Sequence, residues 1–186
     1  MALVAAGCAS TGTKGGSQGE QGMGVLSSEV SADLVTERFD LNGDGNADVW
    51  KLYEVKEGDD PNAPRRVVRK DLDINFDGRV DIRKHYAPNG EMTKEEMDLD
   101  FDGRIDAISN YREGKLFMRE MDMAFDGKPD VWKYYENGEL IRKERDSNGD
   151  GAPDLWEYYQ GGNLVRIGKD MDANGEPEYF EDITPE

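Results

Sequence analysis

Short runs of β-branched and aromatic residues recur along the chain, each followed or preceded by a polar, glycine-containing stretch. Four stand out: Val49 to Tyr53, Ile82 to Tyr86, Val131 to Tyr135 and Leu155 to Tyr159. Such runs suit a pleated, half-buried surface better than a helix. An aliphatic residue also recurs six positions before the aspartate that opens each polar stretch, at Leu34, Val67, Met92, Leu116, Leu140 and Leu164. A fixed apolar position in a repeated unit is a packing site stacked from copy to copy. Aligned on their glycine, the polar stretches open at Asp40, Asp73, Asp98, Asp122, Asp146 and Asp170, at intervals of 33, 25, 24, 24 and 24 residues. The first interval is longer because of an insertion around Gly58 to Pro64, which reads as an extended surface loop.

In the regular repeats 15 residues separate one polar stretch from the next, for example Leu155 to Lys169. A turn signal sits near the middle of the interval: Asn137-Gly138, Gly161-Gly162, Asn89-Gly90 and Glu113-Gly114. Asn-Gly between alternating segments fits a type I′ turn, because both residues accept positive φ. Each interval therefore holds two strands of about five or six residues. The predicted fold is all-β: an elongated array of antiparallel hairpins over residues 31–183, forming a single-layer meander or solenoid-like sheet with no substantial helix.

The polar stretches themselves place oxygen-bearing side chains at positions 1, 3, 5 and 9 of a tight loop with glycine at 6. Calcium takes six to eight oxygens, and the glycine lets alternate side chains converge. Complete sets are Asp40, Asn42, Asp44 and Asp48; Asp73, Asn75, Asp77 and Asp81; and Asp146, Asn148, Asp150 and Asp154. Asp98, Asp100, Asp102 and Asp106 form the most charged set. The fourth loop has Ala124 at position 3 and keeps Asp122, Asp126 and Asp130; the sixth has Asp170, Asp172, Asn174 and the longer Glu178. An EF-hand is excluded by spacing, since two helices do not fit between loops. Its closing glutamate is also missing, because position 12 holds Lys51, Lys84, Ser109, Lys133, Glu157 and Glu181. Sites of this open kind are expected to bind calcium weakly, with dissociation constants of about 10⁻⁴ to 10⁻³ M.

The loop pattern resembles the calcium loops of integrin-type β-hairpins and thrombospondin type 3 repeats, in which the ninth residue closes the site. The stretch Tyr134 to Leu140 resembles MORN-type hairpin repeats. These resemblances imply hairpin geometry and ion ligation, and name no partner.

Charge supports the metal reading. The net charge is −18, from 41 acidic and 23 basic residues. Nineteen of the acids occupy ligand positions, so the remaining 22 nearly balance the bases. Carboxylates converging at 4 Å repel by about 4 kcal/mol per pair at an effective dielectric of 20, a penalty that a divalent ion removes. The same acid excess argues against a nucleic-acid partner. One cysteine excludes an internal disulfide and a Cys-based zinc site. The single histidine, His85, has no recognisable catalytic companions and reads as an ordinary strand residue.

The first residues, Met1 to Ser10, are apolar and small around Cys8 and resemble the end of a bacterial lipoprotein signal, in which that cysteine is acylated. The basic n-region and a full h-region are missing, and a start codon assigned downstream of the true one accounts for both. The expected organisation is a truncated signal over 1–8, a Gly/Ser-rich tether over 9–30 and six calcium-loop hairpins over 31–183. Within that resemblance, Ala9 implies export to the outer membrane, facing the periplasm or the cell surface.

Aromatic residues occupy two registers: Trp50, Trp132, Trp156 and Phe180 ten residues after the first aspartate, and Tyr53, Tyr86, Tyr111, Tyr135 and Tyr159 thirteen after it. Their odd separation puts them on opposite faces. Packing of the sheet is the simplest role for both, and an exposed stripe able to stack on sugar rings is the other. The functional expectation is a calcium-binding, lipid-anchored envelope protein, structural or binding an envelope protein or polysaccharide. A soluble MORN-like interaction module and a calcium-dependent enzyme acting on polysaccharide are the alternatives. The enzyme is disfavoured because every candidate catalytic carboxylate pair belongs to a repeated loop, whereas a catalytic pair should stand out as non-repeated.

Overall fold

A computed structural model describes residues 25–31, 33–55 and 65–183. They form one antiparallel sheet of 13 strands whose spatial order is the sequence order, with no helix among the described residues. The strands are β1 (Val25–Ser31), β2 (Leu34–Phe39), β3 (Val49–Glu54), β4 (Arg66–Leu72), β5 (Ile82–Tyr86), β6 (Met92–Met97), β7 (Ala107–Arg112), β8 (Lys115–Met121), β9 (Val131–Glu136), β10 (Glu139–Arg145), β11 (Leu155–Gln160), β12 (Asn163–Lys169) and β13 (Tyr179–Asp182). Each strand packs only against its sequence neighbours, as in a repeat protein whose stability is summed from unit to unit. The hairpin meander is thus the fold that the 24-residue period and the turn signals imply. Cys8 lies outside the described residues.

One boundary differs from the sequence reading. β1 lies partly inside the stretch assigned to the tether by composition. All of its residues are exposed, so no apolar periodicity marks it. It is held by main-chain pairing to β2, with Val30 opposite Val35 and Ser31 opposite Leu34. Arg38 adds side-chain bonds to Glu29 at 2.7 Å and Ser27 at 3.4 Å, so pairing with β2 supplies the order that apolar burial does not.

The turns divide into two kinds. Glu113-Gly114, Asn137-Gly138 and Gly161-Gly162 carry positive φ at both residues, at 51° and 71°, 51° and 89°, and 54° and 81°, and each joins its strands as a two-residue type I′ loop. Asn89-Gly90 departs from this expectation, since only Gly90 has positive φ. The Gly90 amide donates to the Ala87 carbonyl at 2.9 Å, and the Ala87 amide donates to the Glu91 carbonyl at 2.8 Å. Pro88 at the second turn position fixes its own φ and selects a type I turn followed by a left-handed glycine.

Cross-strand register places the two aromatic series on opposite faces. Trp50 stands opposite Arg38 and Asp71, and Tyr53 opposite Val35 and Val67. Tyr53, Tyr86, Tyr111, Tyr135 and Tyr159 pair with Val67, Met92, Leu116, Leu140 and Leu164 respectively. The recurring aliphatic and the recurring tyrosine are therefore partners in one row, an aromatic–aliphatic pair of the kind that stabilises sheets. A bulge follows each of these pairs, with Val68, Thr93, Phe117, Ile141 and Val165 unpaired in the tyrosine-side ladder. The repeated bulge increases local twist at the turn end of every hairpin.

No second layer covers either face among the described residues. Among the described residues the buried apolar side chains are Val35, Phe39, Val49, Ala107, Val131 and Trp156. Buried acids outnumber them: Asp48, Asp71, Asp73, Asp81, Asp98, Asp106, Asp122, Glu144 and Asp146. Seven of these nine belong to the loops, so the loop edge is itself a polar core held by hydrogen bonds.

Candidate metal centres

The loops share a backbone design that the fourth and sixth keep in part: Asp122 accepts from Asp126 and Gly127 and Ala124 has no acceptor at position 3, while Asp170 also accepts from Asp172. The opening aspartate accepts from the amides of positions 4 and 6: Asp40 takes Gly43 at 2.6 Å and Gly45 at 2.8 Å, and Asp73 takes Phe76 at 2.6 Å and Gly78 at 2.7 Å. Position 3 accepts from position 5, as Asn75 does from Asp77 at 2.9 Å, and position 5 from position 7, as Asp77 does from Arg79 at 2.8 Å. The ninth residue reaches back to the amides of positions 2 and 3: Asp81 accepts from Ile74 at 2.7 Å and Asn75 at 3.2 Å. The ninth residue, read from sequence as an ion ligand, accepts main-chain amides here, and Glu178 does the same with Met171 at 2.9 Å.

Main-chain bonds join successive loops. The amide of each opening aspartate donates to the carbonyl of the previous ninth residue: Asp73 to Asp48, Asp98 to Asp81, Asp122 to Asp106, Asp146 to Asp130 and Asp170 to Asp154, all between 2.7 and 3.1 Å. The loops consequently stack along one edge of the sheet.

Three loops bring three carboxylates within 4.8 Å of one another: Asp73, Asp77 and Asp81; Asp98, Asp100 and Asp102; and Asp170, Asp172 and Glu178. These groups offer only oxygen donors and could hold a hard divalent cation. The loops that open at Asp40, Asp122 and Asp146 place their acids in the same backbone frame without drawing three carboxylates so close. In the third loop the grouping uses Asp98, Asp100 and Asp102, while Asp106 caps Leu99 and Asp100 from the far side. Arg104 grips Asp102 there through its Nε at 2.7 Å and through Nη2. That guanidinium holds the Asp102 carboxyl below the usual range and competes with an ion for the same oxygen.

Position 4 was not singled out by the sequence pattern. It lies in the left-handed region in every loop: Gly43 at 82°, Phe76 at 64°, Phe101 at 65°, Phe125 at 57°, Gly149 at 77° and Ala173 at 61°. A bulky residue there is a backbone outlier, and these phenylalanines are exposed, so burial does not offset the strain. Phe76→Gly is expected to stabilise the chain by about 1 kcal/mol, raising the urea midpoint without changing its slope. An unchanged or lower midpoint would show that the Phe76 ring contributes more than its backbone costs. The only sequence cue to this position was its occupancy by glycine in two copies.

Several carboxyls are held below their ordinary values. Burial pushes Asp146 up, but the amides of Gly151, Gly149, Asn148 and Asp150 outweigh it, leaving it below 3.8. The same balance lowers Asp170, and the Asn46 amide lowers Asp44. In the sheet, burial raises Glu157 while the Tyr159 hydroxyl and Lys143 lower it further. Tyr159 is itself pushed up to about 12 by burial and by that carboxylate. A lowered carboxyl contributes its full stabilisation above the unfolded value and loses it as pH falls through the folded one. The calcium-free protein is thus expected to stay folded down to about pH 4 and to unfold below it, followed by circular dichroism. An acid midpoint above about pH 5 would contradict this.

His85 Nε2 donates to the Glu96 carboxylate at 3.0 Å on the tryptophan face, a strand position with no catalytic companion among the described residues.

Fold and loops together define a hairpin-repeat protein with acidic loops stacked on one sheet edge. No family model and no curated protein matches the chain. Solved structures similar in part include a GtfA/B complex, at 13% identity over 75% of this chain and 20% of that chain with a TM-score of 0.31. Another is the accessory secretory protein 1, 2 and 3 assembly of Streptococcus pneumoniae, at 14% identity over 76% of this chain and 20% of that one with a TM-score of 0.21. A third, the GtfA/B complex bound to UDP and GlcNAc, gives 16% identity, 76% and 24% coverage and a TM-score of 0.23. The chain spans between a fifth and a quarter of the length of these proteins, and likeness this remote says nothing of what it binds.

Proposed function

We propose that this protein is a calcium-binding array of the bacterial cell envelope, anchored by lipid at Cys8 and acting as a structural or binding element rather than as an enzyme. The observation that carries the metal half of the reading is the stacking of oxygen-only loops along a single edge linked by main-chain bonds, three of which each bring three carboxylates within 4.8 Å of one another. Calcium fits this donor set by charge and hardness, and the residues that would hold it are those at positions 1, 3, 5 and 9. Bound ions would neutralise the concentrated acid and tie the loops to the sheet. The anchoring half rests on the resemblance of residues 1–10 to a lipobox, with the partner an envelope protein or polysaccharide.

Calcium titration by calorimetry tests the metal assignment, with several weak sites expected and no heat above dilution as the contrary result. Hydrogen exchange with and without calcium should show protection concentrated at the six loops. Mass spectrometry of the protein expressed from an extended reading frame tests acylation of Cys8, and an unmodified thiol in a membrane fraction would remove the anchor from the reading.

A further inference from the structure

We infer that the tyrosine-bearing face of the sheet carries a binding site for a linear acidic polysaccharide, built from two runs of like charge across adjacent strands. Register sets Lys51 opposite Lys70 and Lys70 opposite Lys84, on β3, β4 and β5. It sets Arg119 opposite Lys133 and Lys133 opposite Lys143, on β8, β9 and β10. Like charges directly opposite on neighbouring strands are destabilising, and strands lie about 4.8 Å apart. Two such triplets on one face of a chain with net charge −18 are the reverse of what sheet stability or composition would supply. The first run is flanked by acids at both ends, Glu37 opposite Lys51 and Glu95 3.1 Å from Lys84, and the second at one end, Glu157 2.9 Å from Lys143, while Lys70 and Lys133 stand centrally between cations.

A cleft opens over each run. One, of about 380 Å³, is lined by Lys51 and Lys70 with Tyr53 and Tyr86 among its walls. The other, of about 700 Å³, is lined by Lys133, Lys143 and Arg145, with Met121 and Val131 beside them and Asp130 and Asp146 at its loop end. In the first cleft cations beside tyrosine rings suit carboxylated sugar rings, because the amines meet the carboxylates and the tyrosines meet the ring faces; the second offers cations beside the apolar Met121 and Val131. The runs lie end to end in one cross-strand row, separated by Glu95 and Ser109, so one extended chain that spans those two strands can meet both. This site deepens the binding half of the proposed function and rests on that reading only in placing the partner in the envelope; its lysines are not loop ligands, although Asp130 and Asp146 border the second cleft.

The test measures binding of polygalacturonate to the full chain in calcium at low ionic strength, with neutral dextran as control. Lys70→Gln and Lys133→Gln should each weaken polygalacturonate binding about tenfold, and the double variant more, whereas Lys115→Gln at the exposed start of β8 should leave it unchanged. Removing a central charge should also raise Tm by a few degrees, which separates loss of binding from loss of fold. Dextran binding as tight as polygalacturonate, no polygalacturonate binding, or wild-type affinity in both lysine variants would overturn the inference. Wild-type affinity in those variants with loss on chelation would assign binding to the calcium loops instead. The calcium-dependent melting shift is read separately, so either idea can fail alone.

Discussion

Calcium at about 10 mM is expected to raise the melting temperature by well over ten degrees, and excess chelator to reverse it. A ligand that binds only the folded state stabilises it by RT ln(1 + [L]/Kd), which at dissociation constants of 10⁻⁴ to 10⁻³ M is about 1.4–2.7 kcal/mol for each occupied site. The three tightest carboxylate groups alone would add about 4–8 kcal/mol, a large fraction of the stability of an ordinary domain. The sheet is especially sensitive because its apolar core is thin, with more buried acids than buried apolar side chains among the described residues. The measurement is a thermal melt at fixed ionic strength, with magnesium as a comparison. Melting temperatures that coincide in calcium and in excess chelator would remove calcium from the account of this fold.

Asp73→Ala should be the most damaging single loop substitution, costing about 3 kcal/mol in the absence of calcium. The Asp73 side chain is 1% exposed and accepts from the amides of Phe76, Asp77 and Gly78, at 2.6, 3.3 and 2.7 Å. Its own amide ties the second loop to the Asp48 carbonyl at 2.8 Å. Alanine leaves those donors without their acceptor and opens the polar core of the edge. Asp77→Ala is the informative contrast, because Asp77 is exposed and accepts one main-chain amide, that of Arg79, beside the Asn75 side-chain amide at 3.3 Å. It should cost less than about 1 kcal/mol in chelator. Both variants should lose one calcium by calorimetry, but only Asp73→Ala should shift the calcium-free urea midpoint strongly. Equal shifts would mean that ligand position, rather than amide satisfaction, governs the empty loop.

Much of this was legible in the chain because the two periods that matter are local. Alternation at two residues gives strands, a 24-residue repeat gives stacked units, and glycine pairs in mid-interval give hairpins. The carboxylate positions were legible for the same reason, since alternate side chains of one tight loop converge whatever surrounds them. Asn89-Gly90 shows where local reading fails: the preceding Pro88 selects another turn for the same dipeptide. β1 shows a second failure, because its exposed residues carry no pattern and only a neighbouring strand gives it order.

By itself, then, the sequence determined the hairpin array, the edge on which the acids lie and the opposite facing of its tryptophans and tyrosines, all of which follow from spacing within one repeat. The tertiary structure decided what spacing cannot: which residue of one repeat stands opposite which residue of the next. Lys70 and Lys84, or Lys133 and Lys143, are unremarkable strand residues when read along the chain. They become rows of facing cations only once hydrogen-bond register and a bulge in each hairpin have fixed the pairing, because contact across strands depends on the alignment of two segments and not on the content of either.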